Sequence, residues 1–284
     1  MSNIKEEYVV TVTFGDCAEN HVGMQQLGER KNKGDGMDFE YLQSIKERYE
    51  KLGFSCEIID LIKAGEVKDF KPENAYVLIV RQGYKAILED IDINELNKEM
   101  INCEWDTKAF MRGSVKNKKA RYNLIFADKE QEPDYINKKG RIIKYEDVPL
   151  LQKIHNDLPL FFGEKAKDLY AEGNFYYDKK NTYIGFHGDS ERRIVVAFRL
   201  GTISMPFHYQ WFLNSEPIGK RIIIELNPGD MYVMSEKAVG TDWMTKRIPT
   251  LRHGTSMNPK FLEIKTKETK IKKEIIEFIY EDEE

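Results

Sequence analysis

Cysteine is scarce in this chain, with Cys17, Cys56 and Cys103 spread over 284 positions. An odd, scattered set argues against a disulfide framework, and the lack of any Cys-x-x-Cys pair argues against a thiolate zinc site. Long apolar runs are missing too. No stretch approaches the roughly 18 residues of a membrane span, and the opening MSNIKEEYVV has no apolar export segment. These absences give the expectation of an intracellular protein, cytoplasmic or nuclear, with no membrane partner. Histidine is limited to five residues, which keeps any search for imidazole ligands short. No charge sign dominates: 44 basic and 48 acidic residues leave a net charge of −4. Affinity for a polyanion would therefore have to come from a local patch.

What is present reads as α+β. The run YVVTVTF (8–14) alternates and is rich in β-branched residues, as a strand should be. Phe39, Leu42, Ile45, Tyr49 and Leu52 recur at helical spacing, and Gly53 supplies a stop. FSCEIIDLI (54–62) and AYVLIVRQG (75–83) are two further strands. We read residues 1–100 as a small α/β unit of unknown role and 101–284 as a second domain. RIIKY (141–145) is a strand, and two short helices, 150–158 and 163–173, are expected on either side of Pro159. Beyond Gly173 the pattern is almost wholly β: YIGFHGD, RIVVAFRLG, PFHYQWFL, KRIIIELNPGDMYVMS, TLRHG and KFLEIKT, divided by turn residues. Many short strands at this spacing imply a sandwich or barrel. The tail, IKKEIIEFIY before EDEE, fits either a strand or an amphipathic helix.

One pair in this β-rich half carries chemistry. Residues two apart on a strand share a face, so His187 and Asp189 project together, with Gly185 and Tyr183. An imidazole and a carboxylate on one face, joined by a second imidazole, make the facial triad of non-haem iron(II) oxygenases. A chain of this composition contains a His-x-acid pair by chance about once, so the pair gains weight only from its surroundings.

Those surroundings resemble a known family. NFYYDKKNTYIGFHGDSE (174–191) is similar to the Asn-x-Tyr…His-x-Asp-x-x-Glu block of AlkB-like dioxygenases, with a slightly longer turn at DKKN. VVAFRLG and HYQWF resemble the two strands that follow it, and LNPGDMYVMS (226–235) resembles the family's Gly-Asp turn. The resemblance covers about 105–265. It implies a double-stranded β-helix, or jelly roll, with Fe(II) at its mouth, 2-oxoglutarate as co-substrate and O2 as oxidant. It also implies that Asn174 and Tyr176 hydrogen-bond the 2-oxoglutarate; a turn role for Asn174 and a core role for Tyr176 stand beside that reading.

The chain departs from the family twice. WMTKRIP (243–249) lacks the histidine that family members carry after the Gly-Asp turn. Among the five histidines, His253 in TLRHGTS is the candidate third ligand, ahead of His208, which is expected to line the pocket or pack in it. The arginines expected on the following strand are also missing. On KFLEIK, Lys260 shares a face with Leu262 and Ile264, so Lys260 becomes the candidate cation for the distal carboxylate, with Arg199 and Arg252 as spares. Gly229-Asp230 is expected to be a structural turn.

The substrate implied by the resemblance is a base in nucleic acid, turned out of its stack. The basic segment 107–127, with Lys116, Lys118, Lys119 and Arg121 and no acidic residue, is the expected phosphate-facing surface; a merely solvated face is the other reading. Arg192 and Arg193 follow the ligand pair, and contact with substrate phosphate or solvation of the rim both stay open for them. A hydroxylase of a protein side chain or small metabolite, and a non-catalytic jelly-roll binding module, are the alternatives.

Overall fold

The structure, a computed structural model, describes residues 6–264. Alternating strand patterns assemble into two main sheets. The larger has eight strands in the order β4 (Cys56–Asp60), β5 (Tyr76–Val80), β15 (Met231–Met234), β12 (Val195–Gly201), β1 (Val9–Gly15), β10 (Tyr170–Tyr176), β8 (Tyr122–Ala127) and β9 (Ile142–Lys144). Only the last pairing is parallel. The smaller sheet has four, β11 (Tyr183–His187), β16 (Thr250–Ser256), β13 (Met205–Leu213) and β14 (Glu216–Leu226). Two hairpins stand apart, β2 (Cys17–Glu19) with β3 (Gln26–Gly28), and β6 (Lys108–Met111) with β7 (Ser114–Asn117).

The two faces of β1 explain the layering. Val10, Val12 and Phe14 point to one side, where Leu42, Ile45 and Tyr49 of the helix Phe39–Lys51 and Leu158 and Phe162 of the helix Pro149–Phe162 bury them. Thr11 and Thr13, one residue out of phase, point to the other side and line a cavity. On that side the sheets close over Val77, Ile79, Val195 and Ala197 of the large sheet and Phe207, Tyr209, Trp211 and Ile224 of the small one. The protein is thus α+β, mostly sheet, as its sequence pattern implied.

Three expectations change. Residues 1–100 do not stand apart: β1 lies between β10 and β12, paired with both along its length, and β4 and β5 extend the same sheet. Pro159 does not divide two helices. One helix runs Pro149–Phe162 through it, giving up the hydrogen bond that an amide at 159 would donate, and Gly163 at φ +80° ends the helix. The second expected helix, 163–173, is instead a 3-10 turn, Glu164–Ala166, followed by β10. Finally, 260–264 is no strand. Asn258 caps a 3-10 turn, Pro259–Leu262, by accepting from the Lys260 amide. The tail segment IKKEIIEFIY lies outside the described residues.

Candidate metal centre

β11 and β16 are antiparallel neighbours, and His187 sits directly opposite His253. Cross-strand partners hold their Cβ atoms about 5 Å apart, which leaves the imidazole centroids 4.5 Å apart with planes at 67°. Asp189 lies just past the end of β11. Its Oδ1 is 3.4 Å from His187 Nε2 and 3.3 Å from His253 Nε2. The three donor atoms lie within 4.8 Å of one another, a spacing that could hold a metal ion. The sequence-predicted trio therefore converges.

The strand delivers His187 by a different route from the expected one. A register shift between Ile184 and His187 inserts one residue, so Ile184 shares the cavity with His187. Tyr183, expected on that face, stacks instead on Phe261 at 4.0 Å. The middle residue of His-Gly-Asp is constrained as well. A Cβ on Gly188 would meet the carbonyl oxygen of Gly240 at 2.0 Å, where the short helix Glu236–Val239 ends. The amide of Asp189 donates to Val239 O at 3.0 Å, fixing the carboxylate against the same helix end.

The protonation states suit a cation. His187 Nδ1 lies 2.9 Å from Gly185 O, and a proton there donates to that carbonyl and frees the Nε2 lone pair. Burial pushes the His253 pKa down and the neighbouring His187 adds to this, against the pull of Asp189. Burial alone would raise the Asp189 pKa, but Arg192 and the two adjacent imidazoles outweigh it and hold the carboxyl well below the usual range.

Arg192, one of the candidate substrate contacts, has other commitments. It is 3% exposed. Its Nη2 pairs with Glu172 at 2.5 Å and Glu191 at 2.8 Å, and its Nε lies 3.5 Å from Asp189 Oδ2. It offsets carboxylates around the trio and is neither a free phosphate contact nor a solvated rim group. Arg193 likewise pairs with Glu236 at 2.8 Å.

The trio forms part of the wall of a cavity of about 440 Å³. Asn174 and Tyr176, on β10, also line it. Asn174 Oδ1 already accepts from Arg121 Nε (2.6 Å) and Asn123 Nδ2 (2.7 Å), and its Nδ2 donates to Glu172, so only one amide N–H stays unassigned. Lys260 is exposed on its 3-10 turn and does not line the cavity. Arg252 is held between the rings of Phe212 and Trp243, 4.0 and 5.2 Å from their centroids. Arg199 does line the cavity. Its guanidinium is fully buried: Nη1 donates to Thr11 Oγ1 at 2.9 Å, while Nε and Nη2 have no partner. Burial lowers its pKa, partly offset by Tyr232, Tyr176 and Asp230. A buried, half-satisfied guanidinium facing a cavity is an anion site by its chemistry.

His208 is outside the cavity lining. It alternates with Phe207 and Tyr209 along β13 and so points to the opposite face of the small sheet. Gly229 and Asp230 form the expected turn; the Asp230 carboxylate accepts from Arg81, Gln82 N and Asn227 N. Among the basic candidates, Lys118, Lys119 and Arg121 line a second cavity beside the first, whereas Lys116 is exposed on β7 and lines neither. Sequence reasoning missed the contribution of the β2–β3 hairpin, which brings Glu19, Asn20, His21 and Val22 to the cavity. The available signal was in β1: two threonines on one face of an otherwise apolar strand mark a polar interior.

Comparison with models of known protein families gives no match. The chain is 50% identical over 256 residues to "Uncharacterized protein R156" of Acanthamoeba polyphaga mimivirus, covering 90% of this chain and 97% of that protein. Identity at that level along nearly the whole of both chains places them together: this chain belongs to the same family as the mimivirus protein R156.

Proposed function

We propose that the protein is an Fe(II)- and 2-oxoglutarate-dependent dioxygenase built on a double-stranded β-helix, acting on a base in nucleic acid. The observation that carries this reading is the convergence of two imidazoles and one carboxylate on a cavity that also holds a guanidinium with two nitrogens unpartnered among the described residues. Two nitrogens and one carboxylate oxygen suit iron(II) and leave positions open to co-substrate. His187, Asp189 and His253 would hold the metal. Arg199, with Thr11 beside it, would take the distal carboxylate of the keto acid, the role expected of Lys260. A fork of donors satisfies a carboxylate bidentately, as a lysine cannot.

The order of strands supports the jelly-roll reading. From β10 to β16 the chain visits large, small, large, small, small, large and small sheet in turn. An eighth strand would return to the large sheet between β10 and β12, and β1 fills that slot.

The chemistry supplied by bound iron is oxidative decarboxylation of 2-oxoglutarate to succinate and CO2, coupled to insertion of one oxygen atom of O2 into a substrate C–H bond. The protein's own part is to hold the ligands, neutralise Asp189 through Arg192, anchor the keto acid and line the approach. Glu19, Val22, Trp243 and Met244 line the cavity together with the trio, and Val22 and Met244 are the exposed apolar members of that set. They suit a flat, partly apolar group such as a base.

The test is an anaerobic titration of the protein with Fe(II) and 2-oxoglutarate, following the weak visible charge-transfer band. The band should develop in the native protein and vanish in His187→Ala and Asp189→Ala. An unchanged band in both variants would remove the metal assignment.

A further inference from the structure

A second cavity, of about 780 Å³, adjoins the first and shares His21, Arg121 and Asn123 with it. Its charge is of one sign. Arg112, Lys118, Lys119 and Arg121 line it, and no carboxylate among the described residues does. The inner cavity is mixed, with Glu19, Glu172, Asp189 and Glu191 in its wall beside Arg192 and Arg199. A groove that is basic at its outer end and mixed at its inner end favours a substrate whose anionic group lies at the outer end.

Among the described residues, the cations of the outer cavity have few internal partners. Lys118 is buried, yet its ammonium makes one long hydrogen bond, 3.3 Å to Asn20 O, and no ion pair with any described carboxylate. Two of its three donors are unassigned. Asp106, the nearest compensating charge, is committed to Tyr135 Oη and the Arg141 amide. Arg121 spends only Nε, on Asn174. Arg112 shows a separate sign of constraint. It stands at φ +50° beside Gly113 at φ +80° in the two-residue turn between β6 and β7. Such turns favour asparagine or glycine at that place, so an arginine there is held at a conformational cost.

We propose that the outer cavity is the phosphate subsite of the substrate. The group to be oxidised enters the inner cavity while a phosphate of the same molecule rests on Lys118, Lys119, Arg121 and Arg112. This inference rests on the oxygenase reading for the direction of the substrate, and not for the binding of the anion itself. The phosphate could belong to a free nucleotide or to a single strand, since both present the same doubly coordinating oxygens to these donors.

The test uses metal-free, full-length protein at low salt, so that its failure is separate from failure of the iron titration. Calorimetric titrations compare a nucleoside, its 5′-monophosphate and a short single-stranded oligonucleotide. The phosphate-bearing probes should bind at least about tenfold more tightly than the nucleoside. Arg112→Asn, which suits the turn, and Lys119→Ala, which is exposed, should each weaken them by about tenfold without lowering Tm. Lys118→Arg should retain binding and Lys118→Met should lose it. Binding of the strand alone would assign the phosphate to a polymer; binding of the monophosphate as well would assign it to the nucleotide unit. Equal affinity for nucleoside and monophosphate with no strand binding, or full affinity in both Arg112→Asn and Lys119→Ala, would overturn the proposal.

Discussion

At the scale of single residues, Arg199 is where sequence reading and structure diverge most usefully. In sequence it is one cation in an apolar strand, VVAFRLG, with nothing to distinguish it from a solvated end. Folding puts it opposite Thr11 of a strand almost 190 residues away, fully buried and with two nitrogens unpartnered. Lys260 looked better only because KFLEIK alternates; Asn258 and Pro259 just before it start a 3-10 turn, Pro259–Leu262, in place of a strand. The consequence is testable. Replacing Arg199 by Met removes a desolvated charge at nearly constant length, so stability should hold or rise, as when other buried charges are exchanged for apolar groups. Affinity for 2-oxoglutarate, read from the iron titration, should fall by about 10- to 100-fold, the value of a charge-assisted pair. Arg199→Lys should fall between the two. A variant with unchanged affinity would transfer the anchor elsewhere.

At the scale of elements, strands were legible where alternation was clean, and the convergence of His187, Asp189 and His253 was legible because β11 and β16 carry them in short motifs. The bulge in β11 was not legible, since nothing in YIGFH marks an inserted residue. Nor was the β2–β3 hairpin, whose three-residue strands lie in a stretch of mixed charge with no clean alternation. That hairpin sets the state of Lys118, which follows β7 and reaches its Asn20 carbonyl. Burial pushes the Lys118 pKa down to about 8; Asp106 and Glu172 pull it up, and Arg121 opposes them. The ordinary value is 10.5. Between about pH 8 and pH 10.5 the unfolded chain therefore binds more protons at this site than the folded one, and stability contributed here must rise with pH. The gain approaches about 3 kcal/mol at its upper bound. Cys17 and Cys56, pushed up to about 11 by burial, act in the opposite sense above pH 9. The clean measurement is the difference between native and Lys118→Met stability curves from pH 7.5 to 10.5, which should shrink steadily as pH rises. A constant difference would mean that Lys118 is not desolvated.

At the scale of the whole molecule, the expected boundary near residue 100 marks a change of composition and no break in the sheet. The reason is that strand patterns report which face of a strand is buried and not which strand it pairs with. β1 pairs over seven residues with β10 and over six with β12, both far along the chain. It also supplies Thr11 and Thr13 to the cavity and Val10, Val12 and Phe14 to the helix-covered core. Residues 101–284 alone would lose the strand between β10 and β12. Two long rows of backbone donors and acceptors would open in the middle of the sheet, and the cavity would lose Thr11, Thr13 and the β2–β3 hairpin from its lining. Unpaired buried backbone groups each cost on the order of 1–3 kcal/mol, and a domain's entire margin is about 5–15 kcal/mol. The fragment 101–284, though it holds all three ligands, should therefore be unfolded or aggregated when expressed alone, with no cooperative thermal transition and no iron-dependent band. Full-length protein should unfold in one transition. A soluble, cooperatively melting 101–284 fragment that binds iron would restore the two-unit division and remove β1 from the structural role assigned to it.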